Sequence, residues 1–298
     1  MKEFKFKKID AFATERSNGN PAGYIWLNAQ SDINEKEMLQ IAKELKGLVN
    51  EVGYVLRIAE DSFVLKYYSS EREVDFCGHA TIAIMYDLIK NDPRLLQLTL
   101  LQIKTNRGEL KVENRIEKED AVFIMSPEPI EKESVSDVHN LAEKLKISTS
   151  EIEDGYPISV INAGLSTLLV PIKSLKSILN ISPELEELKH FCFNSGIDII
   201  EVFTDEVADE SNNFRTRVFA PTFGYMEDPA TGSGNSAFGY YMIKNGLWKD
   251  DIITIEQNAF KDRYNIVKLQ RQSDINGNDR VLFGGGAITR IEGKYIIY

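Results

Sequence analysis

The chain opens with an alternation of apolar and polar residues over positions 5–12, and this period of two predicts a β-strand. Similar runs at 51–58 and 63–68 predict two further strands. Between the first strand and the second, apolar residues recur at helical spacing over positions 35–46, and Gly47 follows as a usual helix stop. The same mixture continues to the end of the chain, so the pattern predicts strands and helices in one α+β arrangement.

Two predicted helices are apolar on almost every side, and the sequences around them are alike. CGHATIAIMYDLIKN from Cys77 aligns with TGSGNSAFGYYMIKN from Thr231 at a constant offset of 154 residues. A helix that is apolar all round must be buried, so each would be wrapped by its own strands. We interpret the likeness as a duplicated αβ unit. Chance likeness of two apolar helices is the alternative, and it would require the same turn chemistry twice.

Each of these helices follows a glycine-bearing turn, EVDFCGHA in the first repeat and EDPATGSG in the second. The first turn of a helix has free backbone N–H groups and the positive end of the helix dipole. Glycines at Gly78, Gly232 and Gly234 would let a ligand approach these donors closely. If the two helix ends face each other, they form a cleft that binds a small carboxylate. The alternative is a pair of ordinary helix starts without a ligand.

Composition and charge exclude several classes of function. The 298 residues carry a net charge of −11, which argues against a nucleic-acid groove. A membrane-spanning helix needs about 18 consecutive apolar residues, and no apolar run in the sequence approaches that length. The start of the sequence has no signal-peptide pattern. Two cysteines make no disulfide framework and fit a reducing cytoplasm.

Cofactor motifs are missing from the sequence. It has no GxGxxG after a strand and no phosphate-binding loop, and its three histidines and two cysteines are not spaced as metal ligands. We therefore expect that the protein uses neither a metal nor an organic cofactor.

Glu51 is the candidate acid/base. Alternation along its strand places Glu51, Gly53 and Val55 on one face, where the glycine would leave room for a ligand. A carboxylate partly removed from water there would have a raised pKa, suited to taking a proton from carbon. His79, at a helix N-terminus, is expected to be neutral and to act as a relay. A solvated glutamate and a helix-capping histidine are the structural alternatives.

Two other mechanisms fit the residues poorly. A two-thiol racemase needs opposed cysteines, but Thr231 is aligned with Cys77 and Cys192 lies elsewhere in the sequence. A serine hydrolase needs a GxSxG turn, and neither Ser233 nor Ser236 has both glycines.

Five segments in colinear order resemble the PhzF-like (phenazine biosynthesis F) isomerase family of the diaminopimelate-epimerase superfamily. They are GNPAG at 19–23, EVGYV at 51–55, CGHATIA at 77–83, FAP at 219–221 and EDPATGSG at 227–234. The resemblance runs from about residue 10 to the terminal GGGAI. It implies two similar αβ domains, each a curved sheet around a central helix, formed by residues 1–117 with 283–298 and by residues 118–282. It also implies cofactor-free proton-shift chemistry in a cleft between the domains, and a homodimer.

The resemblance assigns roles to residues of this chain. Glu51 corresponds to the family's acid/base, and His79 and Asp228 to the other catalytic positions. The substrate-binding positions are expected at Asn20, Gly78, Gly232 and Ser233. Two stretches depart from the family pattern. The family typically has a Ser-Glu-Thr-Ala run where this chain has Asn50, Val52 and Gly53 around Glu51, and the SSER stretch lacks the proline and glycine often found there. The resemblance therefore does not identify the substrate.

The sequence therefore predicts an isomerase that moves a proton on a small carboxylate. A binding protein that holds such a metabolite without turning it over is the non-enzyme alternative. An amino-acid epimerase or racemase is a further one.

Overall fold

A computed structural model of the chain describes residues 1–135 and 137–298. The first of its two units comprises Met1–Met125 and Gly284–Tyr298, and the second comprises Ser126–Phe283. The domain boundary expected between residues 117 and 118 falls inside the first unit, within a short helix. Position 136 lies outside the described residues.

The secondary structure follows in chain order. The strands are β1 (Lys2–Ala11), β2 (Asn20–Leu27), β3 (Glu51–Arg57), β4 (Ser62–Ser69), β5 (Glu73–Val74), β6 (Leu100–Thr105), β7 (Gly108–Asn114), β8 (Val122–Met125), β9 (Ile130–Lys132), β10 (Ser159–Asn162), β11 (Ser166–Pro171), β12 (Ile199–Thr204), β13 (Phe214–Phe219), β14 (Glu227–Asp228), β15 (Ile252–Gln257), β16 (Asn265–Ser273), β17 (Asp279–Gly285) and β18 (Ala287–Ile297). The helices are α1 (Glu35–Glu44), α2 (Gly78–Asn91), α3 (Pro93–Leu96), α4 (Ile116–Glu119), α5 (Val138–Leu145), α6 (Leu175–Asn180), α7 (Leu185–Ser195) and α8 (Gly232–Lys244).

The first unit is a mixed sheet around α2. Strand β1 pairs antiparallel with β18 on one side and β2 on the other. The order continues through a parallel β2–β3 pair, an antiparallel β3–β4 pair and a parallel β4–β6 pair, and β7 and β8 follow antiparallel. The short strand β5 pairs with the end of β4.

Helix α2 is the core of this unit. It contacts β1, β2, β3, β8 and β18, and most of its side chains are buried. Its approach to β3 is close, because a Cβ on Gly53 would lie 2.3 Å from Cδ1 of Ile84. Ile84 therefore occupies the room that the sequence analysis expected for a ligand beside Gly53, and that expectation is wrong.

The second unit repeats this topology around α8. The antiparallel strands β9, β10 and β11 are followed by a parallel β11–β12 pair, an antiparallel β12–β13 pair, a parallel β13–β15 pair and an antiparallel β15–β16 pair. Here too a short strand, β14, pairs with the end of its longer neighbour β13. The succession of parallel and antiparallel pairs equals that of the first unit, which supports the duplication inferred from the sequence.

The duplication also gives a residue-by-residue correspondence. The pairing of β3 with β4 and of β12 with β13 places Glu201 at the position that Gly53 holds in the first unit. The two central helices begin at equivalent glycines, Gly78 and Gly232. Among the described residues, no helix is both long and apolar enough to cross a bilayer.

Candidate active site

The first-unit site is built where β3 begins and α2 begins. Glu51 is the first residue of β3, which lies between β2 and β4 in the sheet. Cys77 directly precedes α2 in an extended conformation, and its side chain does not cap the helix. His79 is the second residue of α2. A strand held on both sides and the first turn of a buried helix thus present three reactive side chains from fixed backbone.

The three side chains converge. Oε2 of Glu51 lies 3.2 Å from Nε2 of His79, and the two side chains are 21% and 13% exposed. Sγ of Cys77 lies 3.5 Å from Nδ1 and 3.9 Å from Nε2 of the same ring. The structure therefore brings two of the predicted catalytic residues together and adds the thiol, which is buried.

The electrostatics of the pair differ from the sequence-based expectation. Burial alone would raise the pKa of Glu51. The adjacent His79 and Cys77 together outweigh this effect, so the net pKa is below the ordinary value. Burial lowers the pKa of His79, yet Cys77 and Glu51 raise it well above its ordinary value. The expectations of a raised glutamate pKa and a neutral histidine are both wrong, because they considered burial and the helix dipole without the partner. A carboxylate–imidazolium pair results.

Cys77 is a thiol in this environment. Burial, together with the charge of Glu51, raises its pKa. The other cysteine, Cys192, is buried in α7, where burial raises its pKa to about 12. Thr231 precedes α8 at the position equivalent to Cys77. The second unit thus has no thiol at the start of its central helix, which leaves the two-thiol mechanism without its second group.

Asn20 supports the strand that carries Glu51. It is buried at the start of β2, and its Oδ1 accepts a hydrogen bond of 2.9 Å from Nδ2 of Asn50. The backbone N–H of Asn50 also donates to the carbonyl of Pro21. The residue before Glu51 is therefore fixed from both its backbone and its side chain.

The predicted residues of the second unit lie at the start of α8. Gly232 and Ser233 are its first residues, and Asp228 belongs to the short strand β14 just before it. Ser233 is half-buried, as is Asp228. Each unit thus gathers its own predicted residues at the first turn of its central helix. That the two helix ends face one another across a substrate cleft stays a prediction.

Buried amide side chains hold the turn before α8, and sequence reasoning missed them. Oε1 of Gln257 accepts from the backbone N–H of Thr231 at 3.1 Å, and its Nε2 donates to the carbonyl of Asp228 at 2.9 Å. Nδ2 of Asn265 donates to the carbonyl of Pro229 at 2.7 Å. These residues come from β15 and β16, and no local motif marks them.

A buried arginine fixes the acidic end of the same turn. Arg217 donates from Nε and Nη2 to the two carboxylate oxygens of Glu227, at 3.1 and 2.9 Å. Its Nη1 donates to the carbonyls of Ile178 and Ile181. Since Glu227 directly precedes Asp228, this bidentate pair sets the position of the predicted catalytic aspartate.

Glu201 is a fully buried glutamate that no sequence motif marked. It is 0% exposed on β12, and neither carboxylate oxygen has a hydrogen-bond partner among the described residues. Oε2 lies where a Cβ on Gly234 would be only 2.6 Å away. Burial, then the charge of Asp228, raises the pKa of Glu201 well above its ordinary value. A single charge inside the apolar run IIEVF was the signal that could have marked it.

Among the residues that the structure describes, one set of side chains could hold a metal ion. The ligand atoms of Glu51, Cys77 and His79 all lie within 4.8 Å of one another. Sequence spacing did not indicate this set, because Glu51 comes from a different element than the other two.

Comparison with known proteins gives matches over nearly the whole chain. The family model described as phenazine biosynthesis-like protein, PhzC-PhzF, matches residues 9–293. An uncharacterized isomerase of Clostridium acetobutylicum is 28% identical over 307 residues, which cover 100% of this chain and 99% of that protein.

Solved structures define the fold. A phenazine biosynthesis protein of the PhzF family from Bacillus anthracis superimposes with a TM-score of 0.87 at 24% identity, covering 100% of both chains. A hydroxyproline epimerase from Agrobacterium vitis, solved with bound trans-4-hydroxy-L-proline, gives a TM-score of 0.59 at 12% identity, covering 99% of this chain and 91% of that one. The predicted α+β, diaminopimelate-epimerase-like fold is confirmed.

Proposed function

Since this chain belongs to the phenazine biosynthesis-like (PhzC-PhzF) family and is an isomerase, we propose that it moves a proton between two carbons of a small carboxylate substrate without a cofactor. Glu51 is the base that becomes the acid. The observation that carries this assignment is the contact of 3.2 Å between Oε2 of Glu51 and Nε2 of His79.

The proposed reaction balances within the substrate and Glu51. The carboxylate removes a proton from one carbon, and the C–H electrons stay on the substrate, delocalised toward a conjugated acceptor group. The neutral Glu51 then returns the proton to a second carbon on the same face. Neither an oxidant nor a second base is required, since one group serves as base and then as acid.

His79 prepares Glu51 for this role. Its imidazolium keeps the pKa of Glu51 low, so the glutamate is ionised and able to accept a proton at neutral pH. It also lies 3.2 Å from Oε2, and Oε1 is the oxygen proposed to meet the substrate. His79 is thus a positioning residue, and its removal is expected to cost less than removal of Glu51.

The substrate carboxylate is proposed to bind at the helix starts. Backbone N–H groups at Gly78 and at Gly232 and Ser233 belong to first helical turns that have no side-chain cap. Asp228 is proposed to orient the substrate, and its placement by Gln257 supports that role. We also propose a homodimer and a cytoplasmic location, the latter supported by the two free cysteines.

Deuterium exchange tests the proposal. Small carboxylates are incubated with the protein in D₂O, and mass shifts report proton transfer into carbon. Glu51→Gln keeps the size of the side chain but cannot accept a proton, so exchange should fall by about a hundred- to ten-thousand-fold while binding persists. Glu210→Gln, at an exposed loop glutamate, is the matched control. Undiminished exchange in Glu51→Gln would remove Glu51 from the mechanism, and binding without any exchange would favour the metabolite-binding alternative.

A further inference from the structure

We propose that Glu51, Cys77 and His79 form a binding site for a divalent cation of the Zn²⁺ class, and that the bound cation stops proton transfer by Glu51. The first half of this proposal concerns binding alone. The second half, inhibition, rests on the function proposed above.

The three donors have the separations that a tetrahedral ion requires. Zinc binds histidine nitrogen and carboxylate oxygen at about 2.0–2.2 Å and thiolate sulfur at about 2.3 Å, so neighbouring ligand atoms lie about 3.3–3.6 Å apart. Here Nε2 of His79 is 3.2 Å from Oε2 of Glu51 and 3.9 Å from Sγ of Cys77. All three ligand atoms lie within 4.8 Å of one another, so small side-chain rotations would bring them onto one ion.

The backbone that carries these donors is already fixed. The carbonyl of Cys77 accepts from both the backbone N–H and the hydroxyl of Thr81, and that hydroxyl also contacts the hydroxyl of Tyr67 at 2.6 Å. Glu51 begins a strand that is paired on both sides. Because little order remains to be imposed, the entropy cost of assembling the site is small.

One donor atom lacks the partner that its burial demands. Oε2 of Glu51 is buried and makes no hydrogen bond of satisfactory geometry, although the ring of His79 is close. A buried carboxylate oxygen without a well-aligned donor is costly. A cation among the three side chains would satisfy this atom.

The donor types select the ion. One thiolate and one imidazole favour Zn²⁺ over the hard ions Mg²⁺ and Ca²⁺, which prefer oxygen ligands. Three protein ligands leave a fourth tetrahedral position for water or an anion. Binding displaces the protons of Cys77 and His79 into solvent, and neither the ion nor the protein changes oxidation state.

Inhibition follows from the choice of ligands. The oxygen that contacts the cation belongs to the carboxylate proposed to take the substrate proton. A carboxylate coordinated to Zn²⁺ is a much weaker base than a free one, so the exchange reaction should stop while the ion is bound.

Binding is tested on the full chain with Co²⁺ and Zn²⁺. Cobalt in a tetrahedral site with a thiolate gives intense visible bands and a sulfur-to-metal charge-transfer band, and zinc affinity is measured by competition with a chromophoric chelator. We expect one ion per chain. Cys77→Ser should abolish the charge-transfer band, and both it and His79→Ala should weaken zinc binding by more than about tenfold.

The chain offers a matched control for each ligand variant. Cys192 is the other cysteine, buried in α7, and His190 is an exposed histidine of the same helix. Cys192→Ser and His190→Ala should bind both ions as the wild type does. Absence of a thiolate–cobalt band in the wild type, or equal losses in the control variants, would overturn the proposed site.

Exchange measurements separate the two halves. Zinc should suppress deuterium exchange by the wild type and by Cys192→Ser, and a chelator should restore it. Exchange that continues with the site fully occupied would overturn the inhibition while the binding site stands. A metal-free wild type that exchanges no proton would count against the proposed function, whatever the cobalt spectrum gives.

Discussion

Replacing Glu201 by glutamine should stabilise the second unit, and the gain should grow as the pH rises. The carboxyl group is 0% exposed, and both of its oxygens lack a hydrogen-bond partner among the described residues. Burial and the nearby charge of Asp228 raise its pKa well above the ordinary value. Glutamine has nearly the same shape and is neutral at every pH, so the variant removes only the ionisation.

The magnitude follows from proton linkage. In the unfolded chain Glu201 titrates near its ordinary pKa of about 4.3, and below that pH both states are protonated and the group adds no pH dependence. Above it the folded state binds the extra proton, so the free energy of unfolding of the wild type falls as the pH rises. The slope is about 1.4 kcal/mol for each pH unit between the unfolded and the folded pKa. The wild type therefore loses stability as the pH rises toward the pKa of Glu201 in the folded state. The glutamine variant does not lose this stability, because its side chain does not ionise.

Urea unfolding at a series of pH values measures the effect, with hydrogen exchange of α8 and β12 amides as a local readout. The difference in unfolding free energy between Glu201→Gln and the wild type should be small in acid and should increase with pH. Glu210→Gln, at an exposed position, should follow the wild type. Parallel curves for Glu201→Gln and the wild type from acid to neutral pH would refute the reasoning, since they would mean that the buried carboxyl takes up no proton on folding.

Three further predictions concern Cys77, Gly234 and the independence of catalysis from a metal ion. Cys77→Ala should keep substantial exchange activity, because Thr231 offers no opposing thiol, and a loss of about a hundredfold or more in the folded variant would instead indicate a thiol mechanism. Gly234→Ala should lower the unfolding free energy by about 1–3 kcal/mol, because the added Cβ would lie 2.6 Å from Oε2 of Glu201. An unchanged urea midpoint would contradict that packing. Dialysis against a chelator should leave deuterium exchange undiminished, and activity lost on dialysis and regained with a divalent ion would contradict cofactor-free catalysis.

Local sequence was sufficient wherever a structural feature depends on neighbours in the chain. The apolar faces of α2 and α8 required burial, and the offset of 154 residues between them revealed the repeat that the strand pairings reproduce. The motifs around Glu51 and His79 identified two residues that the fold places 3.2 Å apart. Helix α6 and the short helix α4 were missed, since their apolar patterns are too short to be distinguished from loops.

The sequence by itself determined the fold class, the repeat and the two turns, because periodicity and glycine placement act over a few residues. Only the tertiary structure decided the charge state and the surroundings of the reactive groups. Cys77 joined Glu51 and His79, Ile84 filled the space at Gly53, and Glu201 met Gly234, each through contacts between different elements. Coulomb interactions and desolvation depend on distance in space, so a low pKa at Glu51 and a high one at Glu201 could be read only after the strands and helices had been brought together.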